Sequence, residues 1–367
     1  LVSTSKDFST RLPANSSGTK HTVRLSVSDG RNSSTYAETV LVDPDQVYPP
    51  SSLHVRLKGV VYWVDGLHSC YARAVLNEEQ VNSDMSLIRD ELGCNGIRVI
   101  SGACSDPFRL EWQEDLLRSA ELAIRMDFEN VTVCPRYMNA SLDDTEASVK
   151  KFAVKAEKLS QTSDTIVFQV GNELSIDARG ICTSRTYEER AGEMNKNVDN
   201  PLYQEKLHDF LRRLVSVSRE SYHGKLSYAA HPGEWAIPWG ELNFDIIGQN
   251  QYWWPECTDA KWLDIFGRLN RFGRPVHVTE FGCKTYNGAF ELGGATVHEY
   301  KGSYDEDSQA EGIRHYLNLI DKSNVDGCFL HVFREDWISD PALRYSLADA
   351  RHRKKSFYMY KAYRLQR

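Results

Sequence analysis

The sequence of 367 residues lacks a long apolar run, a cysteine pair at metal-binding spacing and an excess of positive charge. Without about 18 uninterrupted apolar residues, no membrane-spanning helix is expected. Since no Cys-x-x-Cys pair and no histidine cluster with zinc spacing occur, no metal site is predicted. The net charge of −7, with acidic and basic residues interspersed, argues against a nucleic-acid partner.

The cellular compartment stays open from the sequence. No signal-peptide pattern opens the chain, but its first residue is Leu1 and not Met, so a removed leader is one expectation. Cys134 and Cys328 lie in apolar runs typical of reduced buried thiols, whereas the loop cysteines would be able to pair in an exported protein. Secreted and cytoplasmic locations both remain, and the oligomeric state is not determined.

Residues 1–54 differ in pattern from the rest of the chain. Apolar and polar residues alternate from Val23 to Val27, Asp29-Gly30 marks a turn, and a second extended run covers 36–42. A lone hairpin is marginal in water, so we interpret this segment as a small β-hairpin or a β-sandwich remnant. The predicted division is an extension at 1–54, which includes a linker, and a main domain at 55–367.

The main domain alternates short apolar strands with amphipathic helices. The predicted strands are 57–63, 96–100, 131–134, 166–170, 226–230, 246–249, 276–279 and 327–332. The predicted helices are 83–92, 111–126, 142–159, 201–223, 261–272, 308–322 and 355–365. Eight strands that alternate with helices predict an α/β fold, the (β/α)8 TIM barrel. An open doubly wound sheet is the alternative, disfavoured because no glycine-rich phosphate turn follows the first strand.

Polar and aromatic residues stand where these strands end. Because chemistry in this fold sits at the carboxyl ends of the strands, we expect them to converge at one rim. They are Arg98, Asn172, Glu173, His231, Tyr252, Trp254, Glu280 and Trp337. Carboxylates and amides bind sugar hydroxyls, and aromatic faces stack on pyranose rings. Two carboxyl groups about 5–5.5 Å apart would cleave a glycosidic bond with retention of configuration.

The segments Gly171-Asn172-Glu173 and Thr279-Glu280-Phe281-Gly282 resemble the acid/base and nucleophile motifs of clan A retaining glycoside hydrolases, of which family 5 is the best known. The resemblance covers residues 55–365. It implies that Glu173 is the general acid/base and Glu280 the nucleophile, and that Asn172 binds the substrate 2-hydroxyl. It also implies that Arg98 and Tyr252 hydrogen-bond Glu280 and keep it ionised.

Two positions depart from the family 5 pattern. That family usually has a histidine two residues before the strand-6 tyrosine, where this chain has Asn250, and another after strand 3, where it has Cys134-Pro135-Arg136. A weaker likeness, to uncharacterised abortive-infection-type proteins, covers 280–294. Substrate specificity therefore does not carry over from the resemblance.

The sequence thus predicts a retaining glycoside hydrolase that works through a glycosyl-enzyme on a carbohydrate substrate, without metal or organic cofactor. His231 is expected to contact the substrate or the acid/base, and Trp254 and Trp337 to stack on sugar. Long segments after the fourth and seventh strands, 174–200 and 283–307, favour exo action on a short glycan or glycoconjugate. The alternatives are a transglycosylase with the same carboxylate pair and a catalytically inactive carbohydrate-binding barrel.

Overall fold

The computed structural model describes residues 48–64, 76–102, 110–293, 302–336, 338–349 and 352–366, together with the backbone of two strands at 19–28 and 33–42. The chain forms two compact units, Leu1–Pro49 and Pro50–Arg367. In the first unit, strands β1 (Thr19–Ser28) and β2 (Ser33–Val42) pair antiparallel, with Leu25 opposite Tyr36. The predicted turn at Asp29-Gly30 lies outside the described residues.

The second unit is built around a closed barrel of eight parallel strands, which confirms the predicted (β/α)8 architecture. Each strand pairs with the next one along the chain, and β11 closes the barrel on β4. The barrel strands are β4 (Leu57–Trp63), β5 (Gly96–Gly102), β6 (Asn130–Arg136), β7 (Ile166–Asn172), β8 (Lys225–Ala230), β9 (Ile246–Asn250), β10 (Val276–Phe281) and β11 (Gly327–Leu330). Six of them, including β6 and β7, are buried along their whole length, as strands covered by helices must be.

Helices follow the barrel strands along the chain. They are α1 (Glu78–Ser86), α2 (Leu110–Arg125), α3 (Leu142–Ser160), α4 (Leu174–Asp177), α5 (Tyr187–Lys196), α6 (Pro201–Arg219), α7 (Asp259–Asn270), α8 (Glu306–Lys322) and α9 (Lys355–Ala362). Short π and 3-10 segments cover Leu87–Glu91 and Pro341–Leu343. Short β3 (Ser51–Leu53) pairs in parallel with β12 (Tyr363–Leu365).

Three helix predictions need correction. The first helix begins at Glu78 and not at 83, because the side chain of Asn77 caps it by accepting a hydrogen bond from the Gln80 amide. The last helix ends at Ala362, since the next three residues pair with β3. The segment 174–200, predicted as a loop, contains α4 and α5, and Thr186 with Glu189 forms a capping box for α5.

Phe329 of β11 fills the barrel interior and accounts for two glycines. A Cβ atom on Gly59 would come within 2.6 Å of the Phe329 ring, and one on Gly96 within 3.2 Å. The absence of a side chain on β4 and β5 therefore makes room for a large ring from β11. Above it, a buried cluster reaches the carboxyl ends of the strands: Val61, Trp63, Ile100, Cys134, Tyr252, Val332 and Tyr345. This cluster forms the floor under the candidate site.

Candidate active site

Glu173 directly follows β7 and has an unusual backbone conformation. Its φ of 45° and ψ of 51° lie in the left-handed region, where a residue other than glycine is uncommon. The other non-glycine residues with positive φ in the described part of the chain are all aspartate or asparagine. The carbonyl oxygen of Glu173 accepts hydrogen bonds from the amides of Ile176 and Asp177, both at 2.8 Å, so the strand turns at once into α4. Such conformations cluster at functional sites.

Glu280 lies near the end of β10, and two side chains hold its carboxylate. Nη1 of Arg98 on β5 donates to Oε1 of Glu280 at 2.6 Å, and the Tyr252 hydroxyl donates to Oε2 at 2.8 Å. Arg98 is fully buried, and its Nε and Nη2 donate to Gln169 Oε1 and Asn172 Oδ1, each at 2.7 Å. A buried ion pair with these additional hydrogen bonds fixes one orientation of the Glu280 carboxylate.

Asn250, at the end of β9, connects the two glutamates into one network. Its Nδ2 donates to Glu173 Oε1 at 3.0 Å and to Asn172 Oδ1 at 3.1 Å. Thr279, next to Glu280, donates from Oγ1 to Asn250 Oδ1 at 2.7 Å, which sets the orientation of the amide. Because Asn172 also accepts from Arg98, side chains from β5, β7, β9 and β10 meet at one rim of the barrel.

The two glutamates have opposite electrostatic surroundings. Burial and the charge of Glu280 raise the pKa of Glu173 to about 8, while the hydrogen bond from Asn250 acts the other way. Burial also opposes ionisation of Glu280, but the charges of His331 and Arg98 and the hydrogen bonds from Arg98 and Tyr252 outweigh it and lower its pKa. One carboxyl therefore keeps its proton at neutral pH while the other is ionised, the division of roles that acid/base pairs need.

His331, just beyond β11, packs against the Glu280 side of the site. Its Nδ1 is 3.7 Å from Glu280 Oε2, too far for a hydrogen bond, and has no hydrogen-bond partner in the described part of the chain. Its ring meets those of Tyr252 and Tyr345 edge to face, at centroid distances of 6.3 and 5.3 Å. Burial lowers the pKa of His331 to about 4, so at neutral pH the positive charge at Glu280 comes from Arg98.

The buried carboxylate of Glu234 supports the segment after Glu173. It accepts hydrogen bonds from the Ser175 amide at 2.9 Å, the Tyr228 hydroxyl at 2.6 Å and the His231 amide at 2.9 Å. The Tyr228 hydroxyl in turn accepts from the Leu174 amide at 2.8 Å. Glu234 therefore ties the end of β8 to the start of α4.

Five of the predicted site residues come together in this network: Glu173, Glu280, Arg98, Asn172 and Tyr252. His231 is half-buried and its Nδ1 accepts from the Gly233 amide at 3.0 Å, so its described bonds hold its own turn. Trp254 is half-buried, and its described hydrogen bond is a backbone one, from the Cys257 amide to its carbonyl. Trp337 lies outside the described residues.

Sequence reasoning missed several members of the site. Asn250 and Thr279 bridge the glutamates, Gln169 orients Arg98, and Arg136 forms a buried ion pair with Asp177 beside Glu173. The sequence pointed to three of these residues, because Asn250, Thr279 and Arg136 all stand at or near strand ends. Asp177 gave no such signal, since it lies in a segment that was predicted to be a loop.

The described residues contain neither a metal-binding cluster nor a membrane-spanning helix. No group of three or more His, Cys, Asp or Glu side chains in this part of the chain is placed to hold a metal ion. The described cysteines, at 94, 134, 182, 257, 283 and 328, are buried free thiols. None of the helices described here has both the length and the apolar character needed to cross a bilayer.

The fold and this network define a class: a (β/α)8 barrel with paired glutamates at the ends of its fourth and seventh strands. No protein-family model and no curated protein matches the sequence. Solved structures with the same fold include a GH113 β-1,4-mannanase at 15% identity and a TM-score of 0.61, covering 84% of this chain and 98% of that one. Clan A glycoside hydrolases are thus the structural neighbours that the sequence motifs indicated.

Two further neighbours extend this picture. One is GH5_18 from Streptomyces cattleya in complex with Manβ1-4GlcNAc, at 13% identity and a TM-score of 0.56, covering 83% of this chain and 79% of that one. The other is the β-glucuronidase of Parabacteroides merdae, at 13% identity and a TM-score of 0.51, covering 94% of this chain and 42% of that one. At such identities the likeness establishes the fold alone.

Proposed function

We propose that this protein is a retaining glycoside hydrolase in which Glu280 is the nucleophile and Glu173 the general acid/base. The observation that carries the proposal is the single network that joins two buried carboxyl groups in opposite surroundings. Arg98 and Tyr252 bond both oxygens of Glu280, whereas Glu173 receives one bond from a neutral amide. The structural neighbours named above are glycoside hydrolases and support the same reaction class.

In the first step, the Glu280 carboxylate attacks the anomeric carbon and forms an ester bond. The bond from that carbon to the leaving oxygen breaks, and Glu173 transfers its proton to this oxygen. Arg98 and Tyr252 hold Glu280 so that one lone pair faces the substrate. Asn172, held by Arg98 and Asn250, offers an amide to the sugar hydroxyl next to the anomeric carbon.

In the second step, Glu173 acts as the base. Its carboxylate takes a proton from water while the water oxygen attacks the anomeric carbon, and the ester bond to Glu280 breaks. Both carboxyl groups return to their starting states, and the sugar keeps its original anomeric configuration. No group other than these side chains and water takes part in the balance.

We further propose that the substrate is a β-linked short glycan or glycoconjugate cleaved from its end. One neighbour is a β-1,4-mannanase, one is in complex with Manβ1-4GlcNAc and one is a β-glucuronidase, so β-mannosides and β-glucuronides are the first compounds to test. The chain between β7 and α6 contributes α4 and α5 directly after Glu173, which supports a wall beside the site. Such a wall favours a pocket over an open groove.

The test is activity on a panel of nitrophenyl β-glycosides with Glu280→Gln, Glu173→Gln and a matched control, Glu205→Gln, at an exposed position on α6. The two site variants should lose at least about a thousandfold in kcat, of the order seen when a catalytic group is removed, and the control should lose nothing. Azide should restore turnover to Glu280→Gly and yield a product of inverted configuration. Wild-type activity in either glutamine variant would refute the assignment.

A further inference from the structure

Arg136 and Asp177 form an ion pair away from water. Arg136 is the last residue of β6, and Asp177 is the last residue of α4. Nε of Arg136 donates to Asp177 Oδ2 at 2.8 Å, and Nη2 donates to Oδ1. Arg136 is 5% exposed and Asp177 is fully buried, so the charges of this pair are little screened by solvent.

The pair is held rigidly beside Glu173. The Asp177 amide donates to the Glu173 carbonyl at 2.8 Å, so one helical turn separates the two carboxyl groups along the chain. The guanidinium carbon of Arg136 lies 5.4 Å from the ring centroid of Trp63 and 5.7 Å from that of Tyr187. These rings and the bidentate contact fix the cation in place, and it cannot swing to another partner without losing both.

Charged groups of both signs surround Glu173, and they do not all act in the same step of the proposed reaction. Those around it are Glu280 on β10, Arg98 on β5, Arg136 on β6, Asp177 on α4, Arg190 on α5 and Glu234 after β8, with the hydroxyls of Tyr187, Tyr228 and Tyr252. Burial raises the pKa of each of these tyrosines, so they stay neutral. Arg98 is directly paired with Glu280.

The charge of Glu280 disappears as soon as it becomes an ester in the glycosyl-enzyme. Glu173 then has to pass from acid to base, in the presence of Arg98, which has lost its charged partner, and of the fixed charges of Arg136 and Asp177. The positive charge of Arg136 favours the carboxylate form of Glu173, and the negative charge of Asp177 favours the protonated form, with the cation acting more strongly.

We propose that Arg136 and Asp177 are positioning residues that set when Glu173 gives up and regains its proton, an inference that rests on the role of Glu173 proposed above. The pair contributes a small net attraction for the carboxylate form. It makes Glu173 a usable base in the second step without ionising it in the free enzyme. Neither residue needs to touch the substrate.

The test removes the two charges in turn and measures kcat/KM as a function of pH. The fall of kcat/KM at high pH, its alkaline limb, reports deprotonation of the general acid, Glu173. Asp177→Asn leaves Arg136 unopposed, so the limb should move to lower pH, by about one unit. Arg136→Gln/Asp177→Asn removes both charges, so the limb should move back and end above the wild-type position. A residue with a purely structural role would not give shifts of opposite sign.

A second readout follows Glu173 directly. Infrared difference spectra of each variant against its own Glu173→Gln counterpart report the protonated carboxyl as pH rises, and they need no substrate. The inference therefore stays testable even if the protein shows no glycosidase activity. Asp84→Asn is the matched control, because Asp84 forms a similar buried pair with Arg334 and bonds to neither glutamate; it should leave the Glu173 titration unchanged.

Each outcome decides the inference. Opposite shifts, downward for Asp177→Asn and upward for the double variant, support it. An unchanged titration, or shifts of the same sign, overturns it. If Asp177→Asn does not fold, the double variant, in which buried Arg190 keeps its hydrogen bonds to the carbonyls of Ile176, Arg185 and residue 177, decides alone: a titration at or below the wild-type position overturns the inference.

Discussion

Replacing Arg98 by methionine tests how the protein keeps Glu280 ionised. Methionine fills a similar length without charge, and the change removes the 2.6 Å contact to Glu280 together with the hydrogen bonds to Gln169 and Asn172. Glu280 would keep the hydrogen bond from Tyr252 but lose the one cation paired with it in the described structure at neutral pH. Burial would then dominate and favour the protonated carboxyl.

The size of the effect follows from the geometry. An opposite charge at close range lowers a carboxyl pKa by about 1–3 units, and a buried contact of this length belongs at the upper end. We therefore expect the acid limb of kcat/KM to move upward by about 3 pH units from its wild-type position, which lies below 4.5. Activity at about pH 5 should fall a hundredfold or more and recover partly as the pH is raised, by about tenfold per unit.

The assay is kcat/KM as a function of pH for wild type, Arg98→Met and Arg98→Lys on an activated aryl glycoside. Lysine keeps the charge but not the planar fork, so Arg98→Lys should lower kcat while leaving the acid limb near its wild-type position. Denaturant unfolding should show Arg98→Met destabilised by about 3–5 kcal/mol at most, since Glu280 relieves the unpaired charge by taking up a proton.

The reasoning would be refuted by an acid limb that stays in place in Arg98→Met while the protein remains folded. Acid limbs at the same pH for the methionine and lysine variants would also refute it, because only the charge distinguishes the effects of these two side chains on Glu280. In either case another group would have to keep Glu280 ionised.

Two further predictions concern stability. Glu173 stays protonated in the folded protein up to a pKa of about 8 but ionises above 4.5 when unfolded, so wild-type stability falls as pH rises through that window. Glu173→Gln should therefore be the more stable protein at neutral pH, by up to about 3 kcal/mol, and denaturant titrations should show the gap closing below pH 4.5; a gap independent of pH would contradict this. Glu234→Gln keeps one acceptor oxygen but places its NH2 either against the Ser175 amide or against the Tyr228 hydroxyl and the His231 amide, and it should cost about 1–3 kcal/mol. It should also lower kcat by displacing the chain after Glu173, and unchanged melting temperature and kcat together would exclude this supporting role.

Local patterns in the sequence were enough to predict the barrel fold and the location of the two glutamates. Each strand is a short apolar run, because strands covered on both faces need no polar face, and this pattern is visible without any tertiary contact. Glu173 and Glu280 directly end or follow such runs, and parallel strands in a closed barrel bring their carboxyl ends to one rim. The fold and the location of the carboxylates therefore followed from order along the chain.

Which other side chains surround the glutamates was decided only by the tertiary structure. Asn250 bonds to Glu173 across 77 positions of sequence, and Arg136 pairs with Asp177 across 41, so no local pattern reports either contact. His231 shows the converse, since it ends a barrel strand as predicted but its ring turns to the amide of Gly233. The position of a residue in its strand determines which rim of the barrel it reaches. The orientation and the protonation state of its side chain depend on neighbours that only the closed barrel brings together.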